Sequence, residues 1–366
     1  MARSYVGLDV HSKLTAFVVQ GEDGTVRSRG NVPTSAEGLS LMKGQSELEP
    51  GTRVGLETGT MAAYVARELQ ILDLQPVVVD AHEVRLKAHR PRQKSDRRDA
   101  FEICDGLRRD IYRSIVYLPA PRIQELRLML SRRRHFVRIQ SSEVIAAKHL
   151  LRSAGQRHLL CSLQDEAGWQ KLLSKITDSQ LRSRIEFHHE VWRVAGDQVA
   201  RVEGSLFEQS TFFEAELRRL QTVPGVGWIV SLTVLASFWD PARFPTAKHA
   251  ASYGGLVPST DQTGDRDWHG HITKEGSPEL RSMLCEAAHH ARRKSHPLNP
   301  YFSSLCARRG YKMAVIAVAH RLCRILYAML RDGSEFEISK LAIEIGPFER
   351  KIVTQYRRRR RAVCKA

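Results

Sequence analysis

Apolar and polar residues recur with two different periods along the N-terminal third of this chain. Short apolar or β-branched runs at residues 5–8, 14–20 and 25–32 predict three successive strands joined as antiparallel hairpins. Two further strands are predicted over residues 53–57 and 76–80, and the second is a fully apolar run typical of a buried parallel strand. Helical spacing predicts helices that start at residues 34–37, run over 61–72, and extend from the end of the last strand to about residue 109.

The resulting order of elements is β-β-β-α-β-α-β-α. A meander of three strands followed by alternating strands and helices predicts a mixed α/β sheet. Ribonuclease-H-like nucleases use the same order of elements.

Helical spacing dominates the rest of the chain. From about residue 123 to 220 the pattern predicts long helices, arranged as a hairpin or a coiled coil. After residue 221 it predicts apolar helices over 229–238, 278–294 and 312–331, with a glycine-rich loop over 254–276. We therefore expect an α/β domain over residues 1–118, a helical region over 119–218, a mainly α-helical domain over 219–345, and a basic tail over 346–366.

Charge indicates the kind of partner. Lys and Arg number 57 against 40 Asp and Glu, which gives a formal net charge of +17. The excess is concentrated: residues 81–140 contain 16 basic against 7 acidic residues, and residues 346–366 contain 8 against 1. Such a field attracts polyanions, and nucleic acid is the expected partner.

The cysteines and apolar runs restrict the compartment. None of the six cysteines forms a C-x-x-C pair or has zinc-finger spacing to histidines, so reduced thiols are expected. Asp9 and His11 interrupt any N-terminal signal sequence, and apolar runs such as residues 313–319 are too short to cross a bilayer. We expect a soluble, intracellular protein.

Four carboxylates are placed where they can converge at one edge of the predicted sheet. Asp9 ends the first predicted strand and Glu57 the fourth, and Asp96 and Asp99 share one face of the last helix of the domain. Clustered carboxylates repel one another unless cations neutralise them, and hard oxygen ligands select Mg²⁺ or Mn²⁺. Two such ions about 3.5–4 Å apart can hold the attacking and leaving oxygens of a phosphodiester.

A simpler interpretation of Asp96 and Asp99 is ion pairing, because many basic residues surround them. These are Arg90, Arg92, Lys94, Arg97 and Arg98. The same basic residues would also hold a phosphate backbone beside a metal site.

Two features of the C-terminal region suggest contact with a phosphate. Residues 223–227 (Val-Pro-Gly-Val-Gly) resemble the hairpin of a helix-hairpin-helix, where Gly225 and Gly227 would let backbone N–H groups approach a phosphate; a simple tight turn is the alternative. The loop that follows is rich in glycine, hydroxyl and basic groups, including Lys274. A hydroxyl there could attack phosphorus, although Ser and Thr in such loops mostly cap helices or turns.

Three stretches resemble the DEDD transposase family, which includes Piv-type DNA invertases and bridge-RNA-guided insertion-sequence transposases. They are Gly-Leu-Asp-Val-His-Ser-Lys at residues 7–13, Leu-Glu-Thr-Gly at 56–59 and Lys-Ser-Asp-Arg-Arg-Asp-Ala at 94–100. The resemblance implies a RuvC-like, ribonuclease-H-like first domain. It also implies four catalytic, metal-binding carboxylates, which are Asp9, Glu57, Asp96 and Asp99. His11 and Lys13 match the motif as supporting or phosphate-contacting residues rather than as ligands.

The stretch from residue 251 to 277 is similar to the second domain of the same family. That family has Gly-Leu-x-Pro followed by Ser-Gly, whose serine is the nucleophile. Here Gly255 to Pro258 match, but the Ser-Gly position is Thr263-Gly264. Threonine keeps the hydroxyl and adds a methyl group that restricts χ1. We expect Thr263 to be the nucleophile, with Ser259 as the fallback.

The resemblance implies a transposase or site-specific recombinase that cuts and rejoins DNA through a covalent protein–DNA link. Its expected cofactor is Mg²⁺ or Mn²⁺, its expected partners are donor and target DNA and a structured guide RNA, and its expected state is a homodimer or homotetramer. Residues 1–118 are then the catalytic domain, and the helical region over 119–218 provides the oligomer contact. The expected location is the cytoplasm of a prokaryote, in association with the nucleoid. The predicted nucleic-acid contacts are Lys13, Arg92, Lys94, Arg97, Arg98, Gly225, Gly227 and Lys274. Two alternatives remain open: a junction-type endonuclease that uses water, and a nucleic-acid-binding protein whose site has decayed.

Overall fold

The computed structural model describes residues 3–87, 96–263 and 266–341, with the backbone alone described between residues 260 and 269. The chain divides into two compact units, Met1–Ala120 and Pro121–Ala366. Arg92, Lys94 and the predicted basic tail lie outside the described residues.

The first unit is built on a five-stranded mixed sheet. Its strands are β1 (Ser4–Val10), β2 (Leu14–Gly21), β3 (Val26–Pro33), β4 (Arg53–Glu57) and β5 (Gln75–Val79). Across the sheet the order is β3-β2-β1-β4-β5, with β1 and β2 antiparallel, β2 and β3 antiparallel, and β4 parallel to both β1 and β5. Its helices are α1 (Ala36–Gln45), α2 (Ala62–Ile71), α3 (Ala81–Lys87) and α4 (Asp96–Arg108). The predicted mixed α/β class is confirmed.

Helices cover the two faces of this sheet. One face packs Leu8 of β1 and Leu56 of β4 into a core with Leu39 of α1 and Leu69 of α2. The opposite face packs against α4, which contacts β1, β2 and β4. The predicted start of α1 is present, since the Ser35 side chain accepts a hydrogen bond from an amide in the first turn.

The second unit is mainly helical. Its helices are α5 (Pro121–Ser153), α6 (Glu166–Leu173), α7 (Ser179–Ser210), α8 (Glu214–Gln221), α9 (Trp228–Phe238), α10 (Ala247–Tyr253), α11 (Pro278–His289), α12 (Asn299–Arg309), α13 (Tyr311–Asp332) and α14 (Ile338–Leu341). Its only described strands, β6 (Pro258–Thr263) and β7 (Arg266–Ile272), form an antiparallel hairpin.

Helices α5 and α7 lie side by side as an antiparallel hairpin. Near one end Arg133 Nε donates to Glu203 Oε1 at 2.6 Å, and further along His188 Nδ1 lies 2.5 Å from Glu143 Oε2. As the residue number rises along α5 its partner on α7 falls, which is the antiparallel arrangement. Helix α6 closes the far end through Trp169, which is fully buried. The predicted helical hairpin is therefore present.

Helix α13 is the centre of the C-terminal part of this unit. It contacts α8, α9, α10, α11 and α12. By length and composition it could also cross a membrane, but 56% of its most apolar window is buried inside the protein. That burial is the behaviour of a core helix in a globular domain.

The glycine-rich loop predicted over residues 254–276 is wrong in part, because it contains the β6–β7 hairpin. Residues 259–263 are all polar, and Trp268 and Ile272 are the large apolar residues of β7, so no sustained apolar alternation reveals the strands. The sequence does contain a usable signal: Gly264-Asp265 is a two-residue glycine dipeptide of the kind that joins hairpin strands. Helices α6 and α8 lie in the region predicted to be helical, as short separate helices, whereas α10, α12 and α14 were not predicted. Helix α11 ends at His289 rather than near residue 294.

Candidate active site

The pleat of the sheet places Asp9 and Glu57 on the same face. Strands β1 and β4 are parallel and pair Leu8 with Leu56, so the next residue of each strand lies at the same end of the sheet. Because successive side chains alternate between faces, Asp9 and Glu57 lie opposite to the buried pair Leu8 and Leu56. They therefore face the side of the sheet that α4 covers.

Two glycines let α4 lie directly on this face. A Cβ added at Gly7 would come within 2.2 Å of the Ala100 carbonyl oxygen, and one at Gly55 within 2.9 Å of Ile103 Cγ2. Any side chain at these positions would force the helix away from the sheet. The glycines thereby hold the first turn of α4, with its two carboxylates, beside the end of β1.

Asp9 is the centre of the carboxylate cluster. It is only 6% exposed. Burial raises the pKa of its carboxyl; the positive charge and hydrogen bonding of His11 oppose that rise, and the negative charges of Asp99 and Asp96 add to it. Three of the four predicted carboxylates therefore interact electrostatically, and the strand register brings Glu57 to the same edge.

His11 lies between two of these carboxylates. Its Nε2 is 3.2 Å from Asp9 Oδ2 and 3.4 Å from Asp96 Oδ1. Ligand atoms of the three side chains all lie within 4.8 Å of one another. The sequence motif contains His11, but its position against both carboxylates could not be predicted because Asp96 is distant in sequence.

The donor set fits a divalent metal ion. Asp9 Oδ2 is buried and has no hydrogen-bond partner among the described residues. An unsatisfied buried carboxylate oxygen is costly, and a cation would remove that cost. The oxygen-rich cluster is also the kind of ligand set that hard divalent ions prefer.

Three of the basic residues predicted to contact nucleic acid are neighbours in sequence of the cluster residues. Lys13, in the β1–β2 turn, and Arg97, in the first turn of α4, are both exposed. Arg98 is half-buried, and its Nε lies 3.9 Å from Glu102 Oε1. Lys13 and Arg97 are therefore accessible to a phosphate backbone, whereas Arg98 also takes part in an ion pair within α4.

The two candidate hydroxyls lie on the β6–β7 hairpin of the second unit. Ser259 is exposed, and its hydroxyl donates to the carbonyl of His271 on the facing strand at 3.2 Å. Thr263 is the last residue of β6, where its backbone pairs with Arg266, and its side chain lies outside the described residues. The hairpin thus places both residues on one strand, four positions apart.

Glycines anchor the base of this hairpin. Gly255 (φ +62°) and Gly276 (φ +84°) adopt left-handed backbone conformations, and a Cβ at Gly276 would lie 2.0 Å from the Tyr253 carbonyl oxygen. The Ser277 amide donates to that same oxygen at 2.9 Å. Between these two glycines, Lys274 has an exposed side chain and a left-handed backbone conformation (φ 58°), which is unusual for a residue other than glycine.

The predicted helix-hairpin-helix turn joins α8 to α9. Gly225 (φ +84°) packs against the protein, because a Cβ there would lie 2.8 Å from His290 Cβ. A Cβ at Gly227 would meet no atom within 4 Å. The glycine requirement at Gly225 comes from internal packing, so Gly227 is the better placed of the two for a phosphate contact, and both contacts stay predictions.

A buried histidine holds the same turn. His296 Nε2 lies 2.9 Å from the Pro224 carbonyl oxygen, and its Nδ1 accepts from the Leu298 amide at 3.1 Å. This pattern requires a neutral imidazole with its proton on Nε2. Burial lowers the pKa of His296, so the neutral form is favoured.

Family profiles match both parts of the chain that carry candidate residues. A DEDD transposase profile of the IS110 type matches residues 6–155, which include the four carboxylates. A second profile, described as the transposase IS116/IS110/IS902 family, matches residues 217–303, which include the β6–β7 hairpin.

Individual relatives agree with these profiles. A probable family 20 transposase from Pseudomonas aeruginosa is 28% identical over 297 residues, which cover 77% of this chain and 84% of the relative. A transposase for insertion sequence element IS1111A from Coxiella burnetii is 30% identical over 119 residues, 31% of this chain and 33% of the relative. A pilin gene-inverting protein from Moraxella bovis is 32% identical over 121 residues, 32% of this chain and 38% of the relative.

Proposed function

The chain belongs to the DEDD transposase family of the IS110 type, and from that premise we propose that it cuts and rejoins DNA through a composite active site. The carboxylates of a RuvC-like first domain would hold Mg²⁺ or Mn²⁺, and Thr263 would supply the nucleophile. The observation that carries the proposal is the position of buried Asp9 beside Asp96 and Asp99 on the sheet face that Glu57 shares.

The carboxylates alone favour a catalytic site over a decayed one. A protein that merely binds nucleic acid gains nothing from negative charges directed at phosphates. Asp9 is nevertheless buried here. Its burial and the negative charges of two neighbouring carboxylates raise its pKa, which means that they disfavour its ionised form. Divalent ions at this site, when bound, favour loss of the proton from an attacking hydroxyl and offset negative charge on the phosphate.

The hydroxyl step exchanges one phosphate ester bond for another. Thr263 Oγ1 would form a bond to phosphorus as the bond to one sugar oxygen breaks, and the threonine proton would leave as the sugar oxygen gains one. Attack by a sugar hydroxyl of the partner strand would reverse this exchange and free Thr263. No high-energy cofactor is required, because the number of ester bonds is unchanged at each step.

Further parts of the proposal concern partners. The helical hairpin of α5 and α7 would provide contacts between copies, since strand exchange between two duplexes requires at least two active sites. A structured RNA would select the DNA sites by base pairing, and the net charge of +17 suits binding of both nucleic acids. The protein would act in the cytoplasm on nucleoid DNA.

Trapping of a covalent adduct tests the chemistry. The full chain is incubated with Mg²⁺, duplex DNA from both sides of its gene, and RNA transcribed from that same flanking DNA. The products are separated under denaturing conditions, and the adduct is mapped by mass spectrometry. The proposal requires an adduct on Thr263 that is lost in Thr263→Ala and in Asp9→Asn but retained in Thr263→Ser.

Other outcomes identify the alternatives. An adduct on Ser259 that survives Thr263→Ala would assign the nucleophile to the fallback residue. Asp9-dependent cleavage without any adduct would favour a junction-type endonuclease that uses water. Binding without cleavage or adduct, with both nucleic acids present, would indicate a decayed site.

A further inference from the structure

The geometry around His11 points to more than a supporting role: we infer that His11 is a nitrogen ligand of one metal ion, bound together with Asp9 and Asp96. This inference rests on the proposed metal site and adds a residue that oxygen-only coordination would leave out. It also implies that the site prefers Mn²⁺ to Mg²⁺. Three features of the site support this role: the spacing of the ligand atoms, an unsatisfied carboxylate oxygen of Asp9 and the fixed backbone of His11.

The ligand atoms have the spacing of a coordination shell. Neighbouring ligands of an octahedral ion with bonds of about 2.1 Å lie about 3.0 Å apart. For a tetrahedral ion with similar bonds they lie about 3.4 Å apart. The two distances from His11 Nε2, 3.2 Å to Asp9 and 3.4 Å to Asp96, lie within the range that these two values define.

The third edge of the triangle also allows coordination. Ligand atoms of all three residues lie within 4.8 Å of one another, whereas opposite ligands of an octahedral ion lie about 4.2 Å apart. The Asp96 side chain is 68% exposed, so it can rotate and bring its oxygen from a separation of up to 4.8 Å to the separation that an octahedral ion requires. Asp9 is fixed by burial and would act as the rigid member of the set.

The contact between His11 and Asp9 leaves the carboxylate oxygen Oδ2 without a well-directed hydrogen bond. Asp9 Oδ2 is 3.2 Å from His11 Nε2, yet this buried oxygen has no partner of hydrogen-bond geometry among the residues described. A histidine that served only to hold the carboxylate would direct an N–H at it. His11 Nε2 and Asp9 Oδ2 are close but not directed at each other, which is the arrangement of two ligand atoms that bind the same metal ion.

The backbone of His11 is fixed in place. The three-residue turn between β1 and β2 is closed by a hydrogen bond from the His11 amide to the Leu14 carbonyl at 3.1 Å. Thr34, beyond the end of β3, donates its hydroxyl to the His11 carbonyl at 2.8 Å and its amide to the Lys13 carbonyl at 3.0 Å. A ligand on a pre-formed turn loses little conformational entropy when it binds a metal ion.

A nitrogen ligand changes which ion the site prefers. Mg²⁺ takes oxygen ligands and releases water reluctantly, whereas later first-row ions accept imidazole and bind N/O sites in increasing order of affinity from Mn²⁺. With His11 in the shell, the site should therefore favour Mn²⁺ over Mg²⁺. Loss of the imidazole in His11→Gln should therefore reduce this preference.

Pulsed electron paramagnetic resonance of Mn²⁺ bound to the full chain tests the inference. A coordinated imidazole gives a nitrogen modulation that changes when histidine is labelled with ¹⁵N. We expect this modulation in the wild type and its loss in His11→Gln. His82→Gln is the matched control, because His82 is an exposed histidine of α3 in the same unit. The isotope comparison uses the wild-type protein, so it does not depend on a variant that folds.

The outcomes separate this inference from the proposed function. Mn²⁺ binding that requires Asp9 but shows no histidine nitrogen overturns the role of His11 and leaves the carboxylate site intact. A nitrogen signal that persists in His11→Gln assigns the ligand to another histidine and also overturns it. Absence of Mn²⁺ binding that depends on Asp9 would contradict both the inference and the proposed metal site.

Discussion

Gly7 of β1 and Cys104 of α4 approach so closely that a Cβ on Gly7 would lie 2.4 Å from the Cys104 amide nitrogen. The Cys104 thiol donates to the Tyr5 carbonyl, two residues along β1, at 3.2 Å. This contact fixes how far the helix stands from the strand. It therefore fixes the position of the carboxylates on the first turn of α4 relative to Asp9.

Gly7→Ala should destabilise the first unit and weaken metal binding together. The added methyl would overlap the backbone of α4, and overpacking of this kind costs about 1–3 kcal/mol. Thermal unfolding measures the stability, and Mn²⁺ titration measures the metal site. Gly44→Ala is the control, since a Cβ on that exposed residue of α1 meets nothing within 4 Å. This substitution should increase the free energy of unfolding, by about 1 kcal/mol at most. Equal melting of Gly7→Ala and the wild type would show that α4 is not held by this contact.

Asp9→Asn should stabilise the protein in the absence of divalent ions. The folded pKa of Asp9 is raised by burial and by Asp99 and Asp96, against the opposing effect of His11. The stability that this group contributes is therefore present below its unfolded pKa of about 3.9 and is lost as the pH rises through the folded value. The advantage of Asp9→Asn should be largest at neutral pH and should disappear near about pH 4.

Unfolding curves over this pH range, with and without Mn²⁺, check the prediction. Mn²⁺ should raise the melting temperature of the wild type but not of Asp9→Asn. Asp23→Asn is the control. Hydrogen bonds from Thr25 lower the pKa of Asp23, so removal of its charge should destabilise the protein at neutral pH rather than stabilise it. Equal stabilisation of the wild type and Asp9→Asn by Mn²⁺ would place the ion elsewhere.

Much of the sheet and its carboxylates could be predicted from local sequence. Strand β4 has the predicted bounds, and the positions of Asp9 and Glu57 at strand ends follow from apolar runs that stop there. Their grouping with Asp96 and Asp99 was an expectation that the family resemblance strengthened, because residues 88–95 give no local pattern that determines where α4 packs.

The rest depends on contacts between distant residues. Nothing near Gly7 or Gly55 indicates which helix needs the space, since Ala100 and Ile103 follow much later in the chain. His11 was predicted as a supporting residue, because its distance to Asp96 is fixed only by the packing of α4 on β1. The β6–β7 hairpin was missed because most residues of its strands are polar and give no sustained apolar alternation.

Glu83→Gln should destabilise the first unit at neutral pH. Burial raises the pKa of Glu83, but hydrogen bonds from Lys87 and from the Arg113 and Ser114 amides outweigh it and lower the pKa to about 2. A carboxylate that accepts from both amides, at 2.9 and 2.6 Å, holds α3 against the segment after α4. Loss of the charged acceptor should cost about 1–3 kcal/mol.

The lowered pKa of Glu83 determines how its contribution to stability changes with pH. The folded pKa is below the ordinary value of 4.5, so the stabilisation is present above pH 4.5 and is lost as the pH falls toward about 2. Chemical unfolding at several pH values should show the wild type and Glu83→Gln converging as acid is added. Glu22→Gln, at an exposed position of the same unit, should leave the curve unchanged. A constant difference between wild type and Glu83→Gln at every pH would exclude an effect of the carboxylate charge.

Lys274 allows the charge of a side chain and the strain of its backbone to be tested separately. Its φ of 58° costs energy for any residue with a Cβ, so Lys274→Gly should be as stable as the wild type or more so, by up to about 1 kcal/mol. Lys274→Ala keeps the strain and also removes the charge.

If Lys274 contacts a phosphate, both variants should lose DNA affinity to the same extent, and both should lower the slope of log affinity against log salt by about 1. Fluorescence anisotropy with a labelled duplex at several salt concentrations measures this slope. Lys248→Ala, which removes the same charge from the exposed surface of α10, should change it less. An unchanged slope in both Lys274 variants would mean that the lysine does not contact DNA.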